Sequence, residues 1–265
     1  MSAISRVVGI SMCKDEADVI EATVRHLAAE VDELIVADNR SGDGTREILA
    51  ALAEDLPLTV LDDPDPAYFQ SAKMSRLAAL AADTGADWVV PFDADELWYS
   101  PFGRIADVLA EHPGTAIFTA DLYDHVATGK DPAQGTVPER MGWRRRKPAP
   151  LQKVAVAPRP AVTIEQGNHG AHYGAHRGAT LPGLLVVRHY PYRSPEQMIR
   201  KARNGAAAYA ATDLPETDGQ HWRDYGRLSD EQLADVFRTW FWVADPAQDE
   251  SLIFDPVPAC VSAPS

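Results

Sequence analysis

Cysteine is nearly absent from this sequence, and so are long apolar runs. The 265 residues include two cysteines, Cys13 and Cys260, far apart in the chain, so neither a disulfide framework nor a cysteine metal site is expected. No apolar run reaches the length that spans a bilayer, and the N-terminus lacks the charged-then-apolar pattern of a secretory signal. A cytoplasmic protein without a transmembrane segment is therefore expected.

Basic residues are the other deficit. The chain has 25 Lys and Arg against 39 Asp and Glu, a net charge of −14. This balance argues against a nucleic-acid partner and against broad contact with an anionic membrane surface. It is compatible with a small basic pocket for a phosphorylated ligand. With 45% hydrophobic and 24% charged residues, the composition is that of an ordinary globular protein.

Strands and helices alternate over the first 95 residues. Four apolar runs rich in β-branched residues predict strands at 6–12, 34–38, 58–61 and 88–92. The stretches between them predict helices at 19–27, 46–54 and 70–82, with Asp15 as a candidate cap of the first helix. This alternation predicts an α/β fold with a parallel sheet and right-handed crossovers.

The second half of the chain has a less regular rhythm. Its predicted helices lie at 102–111, 194–211 and 229–243, the last two capped by Ser194 and Ser229, and its predicted strands lie at 115–122, 153–157 and 184–189. The stretch 129–150 is rich in Gly, Pro and Arg, which favours a loop or a lid, and the tail after Asp245 is expected to be irregular. With no internal repeat and no long linker, one domain over residues 1–265 is expected.

Three carboxylates within four residues follow the apolar run 88–92: Asp93, Asp95 and Glu96. Strand ends of open α/β sheets are where ligands bind. Residues i and i+2 of an extended segment point the same way, so Asp93 and Asp95 can share a target. Two oxygen ligands this close suit a divalent cation, or a cation plus a sugar hydroxyl. Taken alone, a solvated acidic loop is an equally good interpretation.

Three stretches, in matching order and spacing, resemble the inverting family 2 glycosyltransferases of the GT-A fold. They are the strand 8–12 with its Lys-Asp-Glu-Ala turn at 14–17, the loop 36–45 ending in Asp-Gly-Thr, and the Phe-Asp-Ala-Asp sequence at 92–95, which resembles the family's DxD metal motif. One departure is Ala37, which stands where the family often has an acid.

The resemblance implies a GT-A-like, Rossmann-like, mostly parallel sheet flanked by helices. In such a fold, residues 1–100 would bind the nucleotide sugar, and residues 101–265 would form a smaller acceptor-binding region with C-terminal helices. The resemblance further implies a metal-dependent inverting enzyme that moves a sugar from a UDP-, GDP- or dTDP-sugar to an acceptor hydroxyl, with Mn²⁺ or Mg²⁺ as cofactor.

Individual residue roles follow from the same resemblance. Asp95 would hold the metal. His189 would hold it too, because it ends an apolar run at the place where such enzymes commonly supply a late histidine. Outside that context, a histidine at a strand end is ordinarily just a polar residue. Asp93 would contact the ribose or the metal's water shell. The implied donor-binding residues are Met12, Lys14, Glu16, Asp38, Lys73, Asp93 and Ala94. Glu16 suits helix capping almost equally well.

Inversion requires a general base to take the acceptor's proton. The family's base is a carboxylate in the second half of the chain, so Glu165 ranks first, His169 second and Asp121 third, with Asp124 a further candidate. The histidines at 169, 172 and 176 also suit zinc, but the glycines around them favour a flexible acceptor loop.

Two other functions remain open on the sequence. A nucleotidyltransferase acting on a sugar phosphate also uses paired aspartates, although the segment after the first strand, at 13–16, lacks that class's glycine-rich loop. A non-catalytic nucleotide-sugar-binding protein is the other alternative.

The acceptor is expected to be a small molecule, a glycan or a lipid-linked group. The apolar set of the last helix is predicted to pack in the core, with peripheral membrane contact as the alternative: Phe237, Trp240, Phe241 and Val243.

Overall fold

The computed structural model describes residues 5–257. The strands, in chain order, are β1 (Val7–Cys13), β2 (Glu33–Asp38), β3 (Leu58–Asp62), β4 (Trp88–Pro91), β5 (Glu96–Tyr99), β6 (Ile117–Asp124), β7 (Ala127–Thr128), β8 (Trp143–Arg145), β9 (Lys153–Val156), β10 (Val162–Ile164), β11 (Ala171–Tyr173), β12 (Thr180–His189), β13 (Trp242–Val243) and β14 (Leu252–Phe254). The helices are α1 (Ile20–Glu30), α2 (Thr45–Leu52), α3 (Gln70–Asp83), α4 (Ile105–Ala110), α5 (Val137–Arg140), α6 (Pro195–Ala210), α7 (Gln220–Gly226) and α8 (Asp230–Trp240). Short 3₁₀ turns cover Gln166–Asn168 and Pro246–Gln248.

Eight strands form the central sheet, in the order β3-β2-β1-β4-β9-β6-β12-β5. β3, β2, β1 and β4 run parallel to one another, and β6 runs parallel to β12, whereas β9 and β5 are antiparallel to their neighbours. This confirms the predicted mostly parallel α/β sheet. The carboxyl ends of β1, β2, β4, β6 and β12 therefore lie at one edge of the sheet, together with the amino ends of β9 and β5.

The central strand β1 is buried on both faces, which is why it is apolar without alternation. Val7 packs into a core shared with α1, α2 and α4, whereas Val8 and Ile10 pack into a second core with α3. A third core, which includes Tyr190 and Phe237, lies beneath α6 and α8. Helices thus flank both faces of the sheet, as predicted.

The predicted elements of the first 95 residues are all present, with ends shifted by a few residues. Both predicted helix caps of the second half are confirmed as well. Ser194 Oγ accepts a hydrogen bond from the Gln197 amide at 3.1 Å, and Ser229 Oγ accepts one from the Gln232 amide at 3.2 Å. These caps satisfy amide groups that the first turn of a helix leaves unpaired.

The predicted cap of α1 is wrong. The helix begins at Ile20, and Asp15 lies well before it in a left-handed backbone conformation with φ of 53°. The Asp15 carboxylate instead accepts hydrogen bonds from the Gly42 amide and from Asn204 Nδ2, each at 2.7 Å. Asp15 therefore joins the loops after β1 and β2 to helix α6 rather than starting a helix.

Most of the stretch 129–150 is loop, as its composition predicts, but the stretch is not irregular throughout. It contains α5 and β8, and β8 pairs antiparallel with β14, placing Trp143 opposite Phe254. The same pairing shows that the tail after Asp245 is partly regular. Residues 258–265, which include Cys260 and the last two tail prolines, lie outside the described residues.

The apolar set of α8 divides between the core and the surface. Phe237 is buried as predicted, but the core prediction is wrong for Trp240, which is 68% exposed. Among residues 5–257, no helix combines the length and the apolar character needed to cross a membrane.

Gly129 provides a test of how the C-terminal region is attached, because it follows β7, which pairs with β13 in a two-stranded sheet. Its amide donates to the Val243 carbonyl at 2.9 Å, and a Cβ added at Gly129 would lie 2.5 Å from the Ala244 carbonyl oxygen. Because backbone cannot yield as a side chain can, we expect Gly129→Ala to lower the free energy of unfolding by roughly 1–3 kcal/mol. Urea denaturation measures this effect.

Gly114→Ala is the matched control, because an added Cβ there meets nothing within 4 Å. It should change the free energy of unfolding by less than about 0.5 kcal/mol. Equal stability of the Gly129→Ala and Gly114→Ala variants would show that the close approach at Gly129 is not needed.

Candidate active site

The carboxyl edge of the central sheet opens into a cavity of about 620 Å³. The cavity is lined by residues at the ends of β1, β4, β6 and β12, by helix α6 and by the segment 166–169. Ligands of open α/β sheets bind at this edge. The predicted site residues that line it are Met12, Lys14, Glu16, Asp93, Ala94, Asp95, His169 and His189.

Asp95 is the buried centre of this edge, with 2% of its surface exposed. Its Oδ2 atom accepts a hydrogen bond from Lys201 Nζ at 2.5 Å and lies 3.6 Å from Arg193 Nη1. Burial alone would raise the pKa of Asp95, but the charges of Lys201, His189 and Arg193 outweigh it and hold the pKa below its ordinary value. Asp95 is therefore a carboxylate, with two cations on one of its oxygens.

Asp93 has its own set of donors. It accepts hydrogen bonds from Lys153 Nζ at 2.6 Å, Asn168 Nδ2 at 3.0 Å and Gln70 Nε2 at 3.2 Å. Lys153 also lies 2.7 Å from Glu96 Oε1. Burial alone would lower the pKa of Lys153, but the two carboxylates outweigh it and raise that pKa above its ordinary value. Lys153 thus remains charged and ties the first aspartate to the strand that follows.

His189 lies beside Asp124 because of strand register. The last residue of β12 is paired with Asp124 of β6 on one side and with Glu96 of β5 on the other. The Nδ1 atom donates to Asp124 Oδ1 at 2.7 Å, since a carboxylate can only accept. Burial alone would lower the pKa of His189, but the Asp124 hydrogen bond and the Asp95 charge raise it above its ordinary value.

The other ring nitrogen of His189, which lines the cavity, lies close to Asp95. Nε2 lies 3.8 Å from Asp95 Oδ1, and neither atom has another hydrogen-bond partner among residues 5–257. One carboxylate oxygen and one imidazole nitrogen therefore converge on a common point. Asp124 fixes the ring orientation from behind, which is how metal-ligating histidines are usually held. These two atoms are the ones that could hold a cation.

Arg193 joins two segments of the chain next to Asp95, although it does not line the cavity itself. Its side chain is 2% exposed and forms an ion pair with Glu16 and a bidentate pair with Asp18 at 2.7 and 2.9 Å. It also donates to the Tyr190 carbonyl at 3.0 Å. The Glu16 carboxylate is thus held by an ion pair rather than acting as a helix cap. This contact fastens the loop after β1 to the segment between β12 and α6.

Sequence reasoning missed the three cations of this network: Lys153, Arg193 and Lys201. A buried carboxylate requires a buried partner, so the acidic run at 93–96 predicts that such residues exist. It does not say which of the 25 Lys and Arg residues they are. They come from β9, from the segment 190–194 and from α6, and the fold alone brings them to Asp93 and Asp95.

Two predicted donor-binding residues do not line the cavity. Lys73 Nζ is paired with Asp63 Oδ2 at 2.7 Å, and it donates to the carbonyl of Asp65 at 2.6 Å. Asp38, at the end of β2, accepts a hydrogen bond from the Ser41 amide at 3.2 Å. Both residues therefore shape the loops beside the cavity rather than facing it.

The candidates for the general base also differ in whether they line the cavity. Glu165 does not line the cavity and lies 3.3 Å from Arg177 Nη2 in an exposed pair. Asp121 is likewise absent from the lining, and its Oδ1 accepts a hydrogen bond from Gln152 Nε2 at 2.9 Å. Of the three ranked candidates, the fold brings His169 to the cavity. Asp124 reaches it too, but its carboxylate is engaged by His189.

His169 is held in one tautomer. Its Nδ1 donates to the Gln152 carbonyl at 2.8 Å, which leaves Nε2 as an acceptor when the ring is neutral. Burial and the nearby Lys153 charge lower the pKa of His169 below its ordinary value.

The described residues contain no group of three or more His, Cys, Asp or Glu side chains suited to a metal ion, which gives the zinc interpretation of the histidine-rich stretch no support.

Comparison with known proteins gives one family match. A model described as glycosyl transferase family 2 matches residues 10–162, more than half of the chain, including Asp93 and Asp95 but not His189. None of the curated proteins compared matches the chain significantly.

Solved structures of S. aureus TarS are similar to this chain at low sequence identity. TarS 1–349 is 13% identical, with a TM-score of 0.43, over 89% of this chain and 73% of that chain. Its complex with UDP-GlcNAc is 12% identical, with a TM-score of 0.40 and the same coverage. A second TarS crystal structure is 14% identical, with a TM-score of 0.39, over 83% of this chain and 42% of that chain.

Arg193 offers a direct test of the buried network. In Arg193→Met, Glu16 would stay buried without its partner, and we expect the free energy of unfolding to fall by roughly 3–5 kcal/mol in urea denaturation. The control is Arg25→Met, whose pair with Glu21 joins two side chains more than half exposed; it should change stability by less than about 0.5 kcal/mol. Equal, small effects of both substitutions would contradict a structural role for Arg193.

Proposed function

Because the chain belongs to glycosyl transferase family 2, we propose that this enzyme transfers a sugar from a nucleotide-sugar donor to an acceptor hydroxyl, with inversion and with the help of a divalent cation. Membership in a glycosyltransferase family sets aside the nucleotidyltransferase and the non-catalytic binding protein. The observation that carries the proposal is the convergence of Asp95 Oδ1 and His189 Nε2, 3.8 Å apart at the carboxyl edge of the sheet.

The donor set fits a divalent cation. Mg²⁺ and related ions are usually held by one or two protein ligands, with substrate phosphates and water completing the shell. An imidazole nitrogen beside a carboxylate oxygen suits Mn²⁺. The ion, when bound, supplies positive charge that stabilises the departing nucleoside diphosphate.

The charge balance of the ion-pair network supports the same proposal. Apart from the Asp18–Arg200 pair, whose charges cancel, the network contains five carboxylates, Glu16, Asp93, Asp95, Glu96 and Asp124, and three permanent cations, Lys153, Arg193 and Lys201. When His189 is neutral, as an imidazole that binds a metal ion must be, the excess of negative charge balances the charge of one divalent ion. The proposed cation would therefore neutralise the site before the anionic diphosphate arrives.

The donor nucleotide would lie over the ends of β1 and β4. Met12, Lys14 and Ala94 line that side of the cavity, and Lys14 Nζ is held by the carbonyls of Asn39 and Arg40 at 2.9 Å. We assign the base and ribose to this side, with a UDP-, GDP- or dTDP-sugar as donor. Lys73 and Asp38 would act indirectly, by holding the neighbouring loops.

The general base proposed here is His169. Its Nδ1 is committed to the Gln152 carbonyl, and its lowered pKa keeps the ring neutral near pH 7, so Nε2 can accept the acceptor's proton. Glu165, which the family resemblance ranks first, lies outside the cavity lining. Inversion requires the acceptor oxygen to attack the anomeric carbon from the face opposite the departing diphosphate, and a base on the segment 166–169 would take its proton as the new bond forms.

The acceptor would enter beside the base. The cavity is also lined by Leu122, Leu151, Trp240 and Phe241, and Trp240 and Leu151 are 68% and 56% exposed. Apolar and aromatic side chains at a cavity mouth suit the faces of sugar rings or an apolar aglycone. A small molecule, a glycan and a lipid-linked group are all acceptors of this kind, and Trp240 would provide any peripheral membrane contact.

Calorimetry with UDP, GDP and dTDP, with Mn²⁺ and with EDTA, tests the donor site. We expect one nucleotide to bind in a Mn²⁺-dependent manner, and Asp95→Asn to weaken that binding by at least about tenfold because a charged ligand of the ion is lost. Asp62→Asn is the control, since Asp62 ends the neighbouring strand β3 with a side chain that is 81% exposed. Nucleotide binding that survives both EDTA and Asp95→Asn would contradict the proposed cation site.

Steady-state kinetics test the base. His169→Gln should lower kcat on the order of 10²–10⁴-fold and leave donor affinity largely intact, because a general base acts in the transition state. Glu165→Gln is the matched comparison and should keep near-normal turnover. The reverse pattern, with Glu165→Gln inactive and His169→Gln active, would make Glu165 the base.

A further inference from the structure

Asp95 has two cationic partners that differ in their access to ligands. Arg193 is 2% exposed and is also committed to Glu16 and Asp18. Lys201 is 23% exposed, lines the cavity and is otherwise held by one long contact, from Nζ to the Pro191 carbonyl at 3.2 Å. Arg193 is thus fixed behind the cavity lining, whereas Lys201 lies on the cavity with fewer contacts to break.

Helix α6 presents Lys201 to the cavity. Lys201, Asn204, Gly205 and Ala208 recur at intervals of three and four residues, so they share one face of the helix, and all line the cavity. The ammonium lies 5.8 Å from the centre of the Tyr192 ring. A four-carbon side chain on this face can swing from Asp95 toward any anion placed above the carboxyl edge.

The ammonium of Lys201 and a divalent ion at Asp95 would compete electrostatically. Lys201 Nζ lies on Oδ2, while Oδ1 of the same carboxylate faces His189. A positive charge already at 2.5 Å from Asp95 repels a second cation that approaches the same group. The repulsion is relieved if the ammonium transfers to the negative charge that the donor brings.

We propose that Lys201 is the resident counter-ion of Asp95 in the ligand-free site and transfers to the donor's diphosphate when a divalent cation binds. This inference rests on the proposed donor site. It makes Lys201 a diphosphate-binding residue that neutralises Asp95 in the empty state and the leaving group in the loaded state. Cation and nucleotide binding would then be linked, because each favours the same position of Lys201.

Two binding measurements with opposite expected signs test the transfer. Without nucleotide, Lys201→Met should bind Mn²⁺ about 10-fold more tightly than the wild type, because the competing charge is gone. At saturating Mn²⁺, the same variant should bind UDP, GDP or dTDP, whichever the wild type binds best, about 10- to 100-fold more weakly, because a charged hydrogen bond to phosphate is lost. A purely structural lysine would not produce opposite shifts.

Arg200→Met is the matched control. Arg200 is the adjacent residue on α6, lines the same cavity and carries the same charge, but it is paired with Asp18 at 3.6 Å. It should leave Mn²⁺ affinity within about twofold of the wild type, since a partly exposed charge away from the ion is screened. Lys201→Arg keeps the charge and should stay close to the wild type in both measurements.

The outcomes separate the two proposals. If the wild type binds none of the three nucleotides with Mn²⁺, the proposed function fails and this inference fails with it. If the wild type binds one of them but Lys201→Met leaves either affinity unchanged, or Arg200→Met reproduces both shifts, the inference alone is overturned. Lys201→Gln has the same expected signs and replaces Lys201→Met if that variant does not fold.

Discussion

Burying the charge of Asp95 is the constraint around which this edge of the molecule is built. A carboxylate with 2% of its surface exposed is destabilising unless cations and hydrogen-bond donors surround it. Here they come from two separate parts of the chain, the segment 190–194 and helix α6. The C-terminal helices are therefore electrostatically attached to the strand that carries the acidic motif, in addition to being packed on it.

Strand direction explains how so many charged groups reach the same edge. Parallel strands β4, β6 and β12 deliver Asp93, Asp124 and His189 at their carboxyl ends. The reversed strands β9 and β5 deliver Lys153 and Glu96 at their amino ends. Because these two strands run opposite to the rest of the sheet, Lys153 lies between Asp93 and Glu96, whose negative charges would otherwise repel each other.

The network divides between residues that are enclosed and residues that face the cavity. Arg193 and Lys153 are 2% and 3% exposed in their side chains, and each bridges two or more acids. Lys201 and His169 line the cavity, where the Lys201 ammonium and the His169 Nε2 atom lie within reach of a ligand. In the proposed reaction Arg193 and Lys153 would hold the acidic side chains in place. Lys201 would respond to the donor and His169 to the acceptor.

Local sequence was enough to predict the secondary structure of the first 95 residues of this protein. Apolar runs, turn residues and helical periodicity predicted every strand and helix up to residue 95, because a strand buried on both faces and a helix packed on a sheet leave strong local patterns. The segment 93–96 was recognisable for the same reason. Short elements such as β5 and β8 were missed, since three or four residues carry little periodicity, and β5 begins within the acidic run itself.

Only the tertiary structure decided the partners of that segment. Which cations meet Asp93 and Asp95, and which of Glu165, His169 and Asp121 reaches the cavity, depends on contacts between residues 60 to 106 positions apart in the chain. Asp15 shows how a long-range contact can overrule a local pattern. Its position before a helix predicts a helix cap, but its carboxylate instead accepts a hydrogen bond from Asn204. The sequence by itself determined the strands and the acidic motif, because those depend on local pattern. The fold decided the charge network, because electrostatic partners are chosen by proximity in space.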